Sequence, residues 1–536
     1  MSTVSEWWRN AVVYQVYVRS FADGNGDGTG DIAGLRSRLD YLRDLGVDAI
    51  WANPWYASPL RDGGYDVADY RTIDPRFGTT DEVELFISEA HDRGIRVIAD
   101  LVPNHTSTDH VWFQEALAAP SGSPARQRYI FKPGTGADGS EPPTNWTAVF
   151  GGSTWEQTAD GEWYLHIFDT SQPDLNWENE EVRAEFDDIF RFWLDRGVDG
   201  FRIDVAHGMI KDPAYPDVRQ TRAILEVDLF EDHPFWDRDG VHEINRRWRK
   251  VLDEYDDRMM VAEAWVLPHR LPLYLRPDEY HQSFNFDLLE TDWVASEFKE
   301  VIGRSIAAAD AVGAPSTWVL SNHDVMRHAS RYGLPVGTKW RQWPITGPVE
   351  ALDVALGARR ARAAALITLS LPGSTYIYQG EELGLPEVWD LPEDVLDDPT
   401  WERSGHTEKG RDGSRVPIPW TADGPSFGFG NTDPWLPQPP TFGPLSAGEQ
   451  AGDPQSTLSL YRSAIATRNE LLRDVADFEL LDTADGVLSY TRGDITVIVN
   501  MGTGPIDLPE GEVVLASSPI DGTTLAQDTA AWLKTS

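Results

Sequence analysis

The hydrophobic positions of this chain alternate between the spacing of helices and that of buried strands. Residues 11–18 are almost entirely apolar and have the length of a buried strand. Residues 32–45 repeat apolar side chains at the spacing of one helical face, and Gly46 marks the end of that helix. A second apolar strand, 47–51, follows at once. The opening of the chain therefore predicts a strand, a helix and a strand in series.

The same unit, a helix that ends in glycine and leads directly into a strand, occurs twice more, within 80–100 and within 180–204. Thr79 and Glu82 have the spacing of a capping box at the start of the first of these helices. Serial units of this kind predict parallel strands joined by right-handed crossovers.

Four more strands complete the pattern. They are predicted at 259–263, 282–286, 317–322 and 375–379. Eight strands alternating with helices favour an α/β fold of the (β/α)8 TIM-barrel type over an open doubly wound sheet. No G-x-G-x-x-G motif opens a helix, which also argues against a dinucleotide-binding fold.

Two long stretches interrupt this rhythm with glycine, proline, tryptophan and polar residues. The first, 104–172, contains no helix–strand unit and predicts an inserted domain after strand 3. The second, 384–453, predicts a long ordered excursion near the functional site. The barrel is thus assigned to 1–103 and 173–472, and short alternating runs assign 473–536 to a C-terminal antiparallel β-domain.

Composition narrows the possible partners. The 536 residues carry a formal net charge of −41, which argues against nucleic acid or an anionic membrane surface as a partner. There is no cysteine, so disulfides and thiolate chemistry are excluded. The N-terminal residues lack the pattern of a signal peptide, and no apolar run is long enough to span a bilayer. We therefore expect a cytoplasmic protein, whose oligomeric state the sequence leaves open.

Polar residues follow several of the predicted strands, where the active sites of such barrels lie. Arg202 and Asp204 point the same way at strand period, and Glu263 and Asp324 stand at later strand ends. A lone Arg-x-Asp is most often a structural ion pair, but three acids at three strand ends predict one site. Two of these acids could divide the work of cleaving an uncharged polar bond, one as nucleophile and one as proton donor.

At these positions the chain resembles the α-amylase superfamily of retaining glycosidases, within it the oligo-1,6-glucosidase and α-glucosidase group. The resemblance covers nearly the whole length, and five short blocks carry it. They are Asp100-Leu-Val-Pro-Asn-His105, Gln172-Pro-Asp-Leu-Asn176, Gly200-Phe-Arg-Ile-Asp204, Glu263-Ala-Trp265 and Ser321-Asn-His-Asp324. Together, and in this order, the blocks are highly specific.

The resemblance implies roles for the catalytic residues. Asp204 would be the nucleophile and Arg202 would keep it ionised, since a nearby cation lowers the pKa of a carboxyl. Glu263 would be the general acid and then the base, which requires a raised pKa, for which apolar neighbours such as Trp265 are a plausible cause. Asp324 would bind hydroxyls of the glucose ring at the −1 position and favour its distorted transition state.

The resemblance also implies the residues that hold the substrate, a small oligosaccharide or glucoside. His105 and His323 would donate hydrogen bonds to the −1 ring, and Tyr65 would form an aromatic platform beneath it. Asp66 with Arg411 would close the pocket at the non-reducing end, although Arg415 is a competitor for that role. The +1 side would be lined by Phe150, Phe168 and Gln172, with core packing as an equal alternative for the two phenylalanines.

The residue after the nucleophile bears on linkage. In the group that this chain resembles, valine there goes with α-1,4 bonds and threonine with α-1,6 bonds, and Val205 predicts an α-1,4 preference. The expected substrates are maltose and short maltooligosaccharides. Two alternatives stay open: a glucosyltransferase or isomerase of the same superfamily, of the trehalose synthase or sucrose-isomerising kind, and a non-catalytic scaffold.

A glycine-rich acidic loop at 23–31 has oxygen ligands at the spacing of the first half of an EF-hand. An EF-hand would have glutamate at its twelfth position, where Gly34 stands, so the second half is missing. The prediction is a structural Ca²⁺ site, with Mg²⁺ also compatible; the alternative is a turn that binds no ion. The expected ligands are the side chains of Asp23, Asn25, Asp27 and Asp31 and the carbonyl of Thr29.

Overall fold

The computed structural model describes residues 6–218, 230–341, 343–346 and 348–534. The first five residues lie outside this description. They are part of the N-terminal segment in which the sequence predicts no signal peptide. Within it, no helix combines the length and the apolar composition that crossing a membrane requires.

Eight parallel strands form the centre of the fold. In chain order these barrel strands 1 to 8 are Val12–Val16, Ala49–Ala52, Arg96–Leu101, Gly200–Ile203, Met259–Ala262, Gln282–Ser283, Thr317–Val319 and Ser374–Tyr378. Strand 1 lies between strands 2 and 8, and hydrogen bonding runs continuously from strand 6 round to strand 7. The Asn285 amide donates to the Thr317 carbonyl at 3.2 Å and nearly closes the circle. The predicted TIM barrel is confirmed, with each strand within a few residues of its predicted place.

Helices surround the barrel because their apolar faces pack on strands that are buried on both sides. The longer ones are Ile32–Ser37, Leu39–Leu45, Thr80–His91, Glu180–Leu194, Val241–Leu252, Ala295–Asp310, Val354–Ser370 and Thr457–Leu471. The capping box of Thr79 and Glu82 is present. The single helix predicted over 32–45 is two helices, which meet at Arg38. There Arg38 donates to the Gly428 carbonyl and stacks on Trp420, a long-range contact that helical periodicity does not report.

The region after strand 3 holds a three-stranded antiparallel sheet. Its strands are Phe131–Pro133, Trp155–Gln157 and Glu162–Leu165. The prediction that this region has no helix–strand unit is wrong, because helix Val111–Ala118, capped by the His110 side chain, precedes these strands. The predicted domain boundaries remain predictions.

The remaining elements are short and lie mostly in the connections above the barrel. They are helices Pro124–Gln127, Leu271–Tyr274, Phe286–Glu290, His328–Arg331, Trp343–Thr346, Pro399–Arg403 and Ala447–Ala451, and the paired strands Tyr56–Ala57 and Asp69–Ile73. Turns of 3-10 helix occupy Trp7–Asn10, Val18–Ser20, Val349–Ala351, Glu393–Val395, Asp412–Ser414, Pro425–Gly428 and Pro440–Leu445.

The predicted C-terminal β-domain is present. A five-stranded antiparallel sheet consists of Phe478–Leu480, Val487–Arg492, Ile495–Asn500, Glu512–Ala516 and Thr529–Lys534, beside the pair Ile506–Asp507 and Thr524–Leu525. It packs on helix Val354–Ser370, where Trp532 Nε1 donates to the Leu366 carbonyl at 3.1 Å. At the base of the barrel, Arg468 Nη2 donates to the Asn10 carbonyl at 3.2 Å and so joins the last barrel helix to the start of the first strand.

The fully buried Asp528 carboxylate links this domain to the barrel, since Oδ1 accepts hydrogen bonds from Trp293 Nε1 at 2.7 Å and Arg360 Nε at 2.8 Å. We expect Asp528→Ala to lower the free energy of unfolding by about 3 kcal/mol, because it leaves a partly buried guanidinium without its counter-ion. Thermal unfolding checks this against Asp507→Ala, a change at an exposed strand position of the same domain. Equal melting temperatures for the two variants would contradict it.

Candidate active site

A cavity of about 330 Å³ opens at the carboxyl ends of the barrel strands. Nine residues that the sequence predicts for the site line it: Tyr65, His105, Phe150, Phe168, Asp204, Val205, Glu263, Asp324 and Arg411. The predicted residues Asp66, Gln172, Arg202 and His323 lie behind this lining. The eight strands thus bring together acids that lie far apart in the sequence.

The floor of the pocket is organised by the buried guanidinium of Arg202. Its Nη1 donates to Asp100 Oδ1 at 2.9 Å and to Asp204 Oδ1 at 2.6 Å, and its Nη2 lies 3.5 Å from Glu263 Oε2. The parallel register explains the first contact, since Asp100 and Arg202 are direct neighbours on strands 3 and 4. One cation therefore serves three carboxylates.

Burial decides the protonation of these acids. It raises the pKa of Asp204 and of Glu263, and raises that of Asp100 to about 6, while Arg202 acts in the opposite direction on all three. Arg202 therefore lowers the pKa of Asp204, as expected, but burial has the larger effect and the pKa is raised overall. Because the neighbouring carboxylates also repel one another, Asp204 and Glu263 titrate as a coupled pair and not independently. The raised pKa expected for Glu263 is present.

Val205 connects the two acids through its main chain. Its amide donates to Glu263 Oε2 at 2.6 Å, and the next amide, of Ala206, donates to the Glu263 carbonyl at 2.9 Å. Val205 adopts a left-handed backbone with φ of 46°, which is strained for a β-branched residue. The strand 4 loop thus holds the strand 5 carboxylate in place at the cost of local strain.

Asp324 is held by two other cations. Its Oδ1 accepts hydrogen bonds from Arg411 Nη1 at 3.0 Å and Arg415 Nη2 at 3.1 Å. Burial raises its pKa, but His323 and the two guanidiniums outweigh burial and keep that pKa well below the usual range. Arg411 lines the pocket whereas Arg415 does not, so the two share Asp324 but only Arg411 faces the cavity.

The predicted pairing of Asp66 with Arg411 is wrong, and Asp62 takes that place. Arg411 Nη2 donates to Asp62 Oδ1 at 2.6 Å, and Asp62 lines the pocket. Asp66 turns away from the cavity and accepts hydrogen bonds from Ser58 Oγ and from the amides of Arg61 and Asp62. Among the residues that the structure describes, no arginine or lysine forms an ion pair with Asp66, and burial raises its pKa to about 7. Both aspartates stand in Asp62-Gly63-Gly64-Tyr65-Asp66, so sequence reasoning found the loop and chose the wrong carboxylate.

The two predicted histidines and Tyr65 occupy adjacent positions. The Tyr65 ring stacks on His323 with centroids 5.1 Å apart, and its hydroxyl donates to Asp100 Oδ2 at 2.8 Å. His323 Nε2 lies 3.3 Å from Asp324 Oδ2, and His105 Nε2 donates to the Tyr65 carbonyl at 3.1 Å. Burial lowers the pKa of His105 to about 4 and lowers that of His323 well below its usual range, which favours the neutral form of both rings near pH 7.

Gln172 supports the pocket from behind instead of lining its +1 side. Its Nε2 donates to Asp62 Oδ2 at 2.9 Å and lies 3.1 Å from His105 Nε2. Phe150 and Phe168 do line the cavity, and the Arg411 guanidinium lies 4.9 Å from the Phe150 ring centroid. Both phenylalanines also belong to the inserted region's hydrophobic cluster or pack against it, so lining and core packing are combined.

Several residues of the site were missed. Asp398 accepts from Arg411 Nε at 2.5 Å, and the cavity is also lined by Val149, His207, Trp236, Glu290, Val325 and Arg341. Most of these lie on long connections, where no strand end marks them. The excursion at 384–453 was predicted to lie near the site, and its Asp398, Arg411 and Arg415 confirm that.

The acidic loop is built around two carboxylates. Asp23 accepts the amides of Gly26 and Gly28, and Asp31 accepts those of Gly24, Asn25 and Gly34. The Asn25 and Asp27 side chains likewise accept local amides. Across the described ranges, no three His, Cys, Asp or Glu side chains converge as a metal site. The donor set consists of oxygens, which suits Ca²⁺. The Asp23 carboxylate oxygens each accept one amide and retain a lone pair, whereas Asp31 Oδ1 already accepts the amides of Gly24 and Gly34.

The comparisons with known proteins agree with this geometry. The alpha-amylase catalytic domain family matches residues 15–475. The oligo-1,6-glucosidase of Parageobacillus thermoglucosidasius is 36% identical over 496 residues, 87% of this chain and 84% of the relative. A probable alpha-glucosidase of Rhizobium meliloti is 37% identical over 508 residues, 91% of this chain and 87% of the relative.

Solved structures give the same result. The alpha-glucosyl transfer enzyme XgtA superposes with a TM-score of 0.86 at 34% identity, covering 98% of this chain and 99% of XgtA. The trehalulose synthase from Pseudomonas mesoacidophila superposes with a TM-score of 0.85 at 30% identity, covering 98% and 99%. The chain belongs to the alpha-amylase family. It is a glycoside hydrolase, and its relatives place it among the glucosidases.

The corrected role of Asp62 can be tested. Asp62→Asn removes the charge that faces Arg411, and we expect kcat/KM on an α-glucoside to fall by about 30-fold or more, because one partner of a buried charge pair is lost. Steady-state kinetics would check this, with Asp69→Asn, an exposed position on the neighbouring strand, as the matched control. Unchanged kinetics for Asp62→Asn would show that Arg411 does not need this partner.

Proposed function

We propose that this protein is a retaining, exo-acting α-glucosidase. It would hydrolyse α-1,4 bonds at the non-reducing end of maltose and short maltooligosaccharides through a covalent glucosyl-enzyme, with some transfer of glucose to other sugars. The observation that carries the proposal is the shared Arg202, which holds the Asp204 and Glu263 carboxylates together on the pocket floor.

The reaction would proceed in two displacements. An Asp204 carboxylate oxygen attacks the anomeric carbon, the glycosidic C–O bond breaks, and Glu263 gives its proton to the departing oxygen. Glu263 then takes a proton from water, which attacks the anomeric carbon and releases Asp204. The contact with Arg202 at 2.6 Å favours the ionised form of Asp204, and Glu263, 3.5 Å from the same guanidinium, would carry the proton that the leaving oxygen takes. This division suits a nucleophile beside an acid.

The exo-acting mode is supported by the closed end of the pocket. Asp62, Arg411 and Asp324 form a continuous chain of ion pairs there, with contacts of 2.6 and 3.0 Å. Such a wall would bind the terminal hydroxyls of one glucose and leave no room for a sugar beyond it. Asp324, with its low pKa, would accept hydrogen bonds from sugar hydroxyls, and the neutral His323 would donate to the same ring through Nε2. His105 could donate to that ring only by giving up its bond to the Tyr65 carbonyl.

The α-1,4 preference is supported by Val205, which lines the cavity beside both acids. An apolar side chain at this point gives a leaving group no hydrogen-bonding partner, and a threonine would add a hydroxyl. The names of the two relatives, an oligo-1,6-glucosidase and a probable alpha-glucosidase, specify the 1,6 bond or no bond type, so the α-1,4 preference rests on Val205.

A second candidate is a glucosyl-transferring or isomerising enzyme, favoured by likeness to the alpha-glucosyl transfer enzyme and the trehalulose synthase. Both candidates would use the same acids and differ in whether water or a sugar attacks the glucosyl-enzyme.

Time-resolved proton NMR separates these candidates. Given maltose, isomaltose, sucrose and trehalose separately, the enzyme should release α-glucose first from maltose and little from isomaltose. Val205→Thr should shift the ratio of the two rates towards isomaltose, and Glu263→Gln should remove activity on unactivated sugars. New disaccharides that appear faster than free glucose would favour the second candidate, and β-glucose as the first product would exclude retention.

We also propose that the acidic loop binds a structural Ca²⁺ through Asp23, Asn25, Asp27 and Asp31 and the Thr29 carbonyl. The ion would cross-link the connection that follows strand 1, and those residues do not line the catalytic cavity. We expect chelation to lower the melting temperature, added Ca²⁺ to restore it, and kcat of the folded enzyme to stay the same. Elemental analysis should find about one Ca²⁺ per chain, and less in Asp27→Asn. A metal-free protein that Ca²⁺ does not stabilise would end this proposal.

A further inference from the structure

The lining of the cavity includes an ion pair that the catalytic steps do not use. Arg341 Nη2 lies 2.8 Å from Glu290 Oε1, and both residues line the cavity. Glu290 ends the helix Phe286–Glu290 after barrel strand 6, whereas Arg341 lies on the long connection after strand 7. We call these two residues the rim pair. It joins the two connections on either side of the nearly closed barrel seam.

Aromatic rings fix the position of the rim pair. The Trp265 ring stacks on Phe286 with centroids 3.9 Å apart and an interplanar angle of 7°. The Arg341 guanidinium carbon lies 5.6 Å from the Trp265 centroid and 4.5 Å from that of Trp340. Arg341 is only 20% exposed, so it is held in place more firmly than an ordinary surface arginine.

The rim pair lies on the side from which the leaving group must depart. Trp265 is two residues after Glu263, the proposed proton donor, and both line the cavity with Glu290 and Arg341. The proposed function assigns Asp62 and Arg411, which are paired at 2.6 Å and line the same cavity, to the other end, where the non-reducing sugar binds. A substrate that extends beyond one leaving-group sugar therefore has to pass the rim pair. The cavity volume of about 330 Å³ is at the lower end of the range for small-molecule sites, which also indicates a short substrate.

We infer that the rim pair of Glu290 and Arg341 is a specificity determinant that restricts the leaving group to about one sugar ring. The inference rests on the proposed function and adds a preference for disaccharides over longer α-glucans. A longer chain would have to separate the two charged side chains, and the loss of their attraction would reduce its kcat/KM relative to that of a disaccharide. Because Glu290 is 46% exposed, solvent moderates this effect, and a change of about two- to fivefold is expected.

Charge reversal tests the inference. The measured quantity is the ratio of kcat/KM for maltotetraose to that for maltose. Glu290→Arg and Arg341→Glu should each raise the ratio by about two- to fivefold, and the double variant, which restores an opposite-charge pair, should return it towards the original value. In the unchanged enzyme the ratio should also rise between about 0.1 and about 1 M NaCl, where the Debye length falls from about 10 to about 3 Å.

The matched control is Arg304→Glu. This change breaks the 2.7 Å ion pair between Arg304 and Asp287. Asp287 lies on the same short helix as Glu290 and is about as exposed, but neither Asp287 nor Arg304 lines the cavity. The ratio for Arg304→Glu should equal that of the unchanged enzyme. The inference would be overturned if all variants had the same maltotetraose-to-maltose ratio of kcat/KM as the unchanged enzyme and if salt did not change that ratio. Maltose hydrolysis, and with it the proposed function, would be unaffected by this outcome. An unchanged enzyme without activity on any α-glucoside would instead overturn the proposed function.

Discussion

The site depends on one buried cation surrounded by acids. Arg202 binds Asp100 and Asp204 and approaches Glu263. Its guanidinium carbon also lies 5.2 Å from the ring centroid of Trp51 and 5.5 Å from that of Tyr65. Buried carboxylates without a cation would have to be neutral or repel one another. Through Asp100 the same cation orients the Tyr65 hydroxyl, and through Tyr65 the position of His323. The floor of the pocket is therefore one hydrogen-bonded unit.

The pocket contains two groups of acids with opposite electrostatic character. Asp204 and Glu263 share a cation with Asp100, and burial raises their pKa values. Asp324 is bound by two guanidiniums that keep its pKa low. Asp204 and Glu263 can thus hold a proton while Asp324 stays ionised in the same cavity. The difference arises because three acids share one guanidinium on the pocket floor, whereas Asp324 alone has two. The strained Val205 peptide connects Asp204 with Glu263 and brings the amide of the strand 4 loop to the Glu263 carboxylate.

The sequence predicted the barrel because most strands lie in short apolar runs and three of them directly follow a helix that ends at a glycine. It predicted Asp204, Glu263 and Asp324 because parallel strands bring their carboxyl ends to one face. Prediction was poorer where position depends on long-range contacts: choosing Asp62 over Asp66 required the partner that each carboxylate finds in space. Glu290 lies at the end of a helix of five residues and Arg341 on a long connection, both too short or too irregular to show periodicity. Arg38, where the predicted helix divides, contacts Trp420, far along the chain. Periodicity reports burial, and it does not report which distant residues meet.

The bond between Arg468 and the Asn10 carbonyl spans 458 positions of the chain. During synthesis, strand 1 therefore leaves the ribosome long before the helix that covers its start exists. Strand 1 also pairs with strand 8, at Ser374–Tyr378, so its apolar edge stays open for most of translation. Domains generally fold as units while they emerge, at about 5–20 residues per second, which leaves this edge open for roughly 20 s or more. Until strand 8 is made, the growing chain therefore carries an unpaired strand edge of the kind on which aggregation starts.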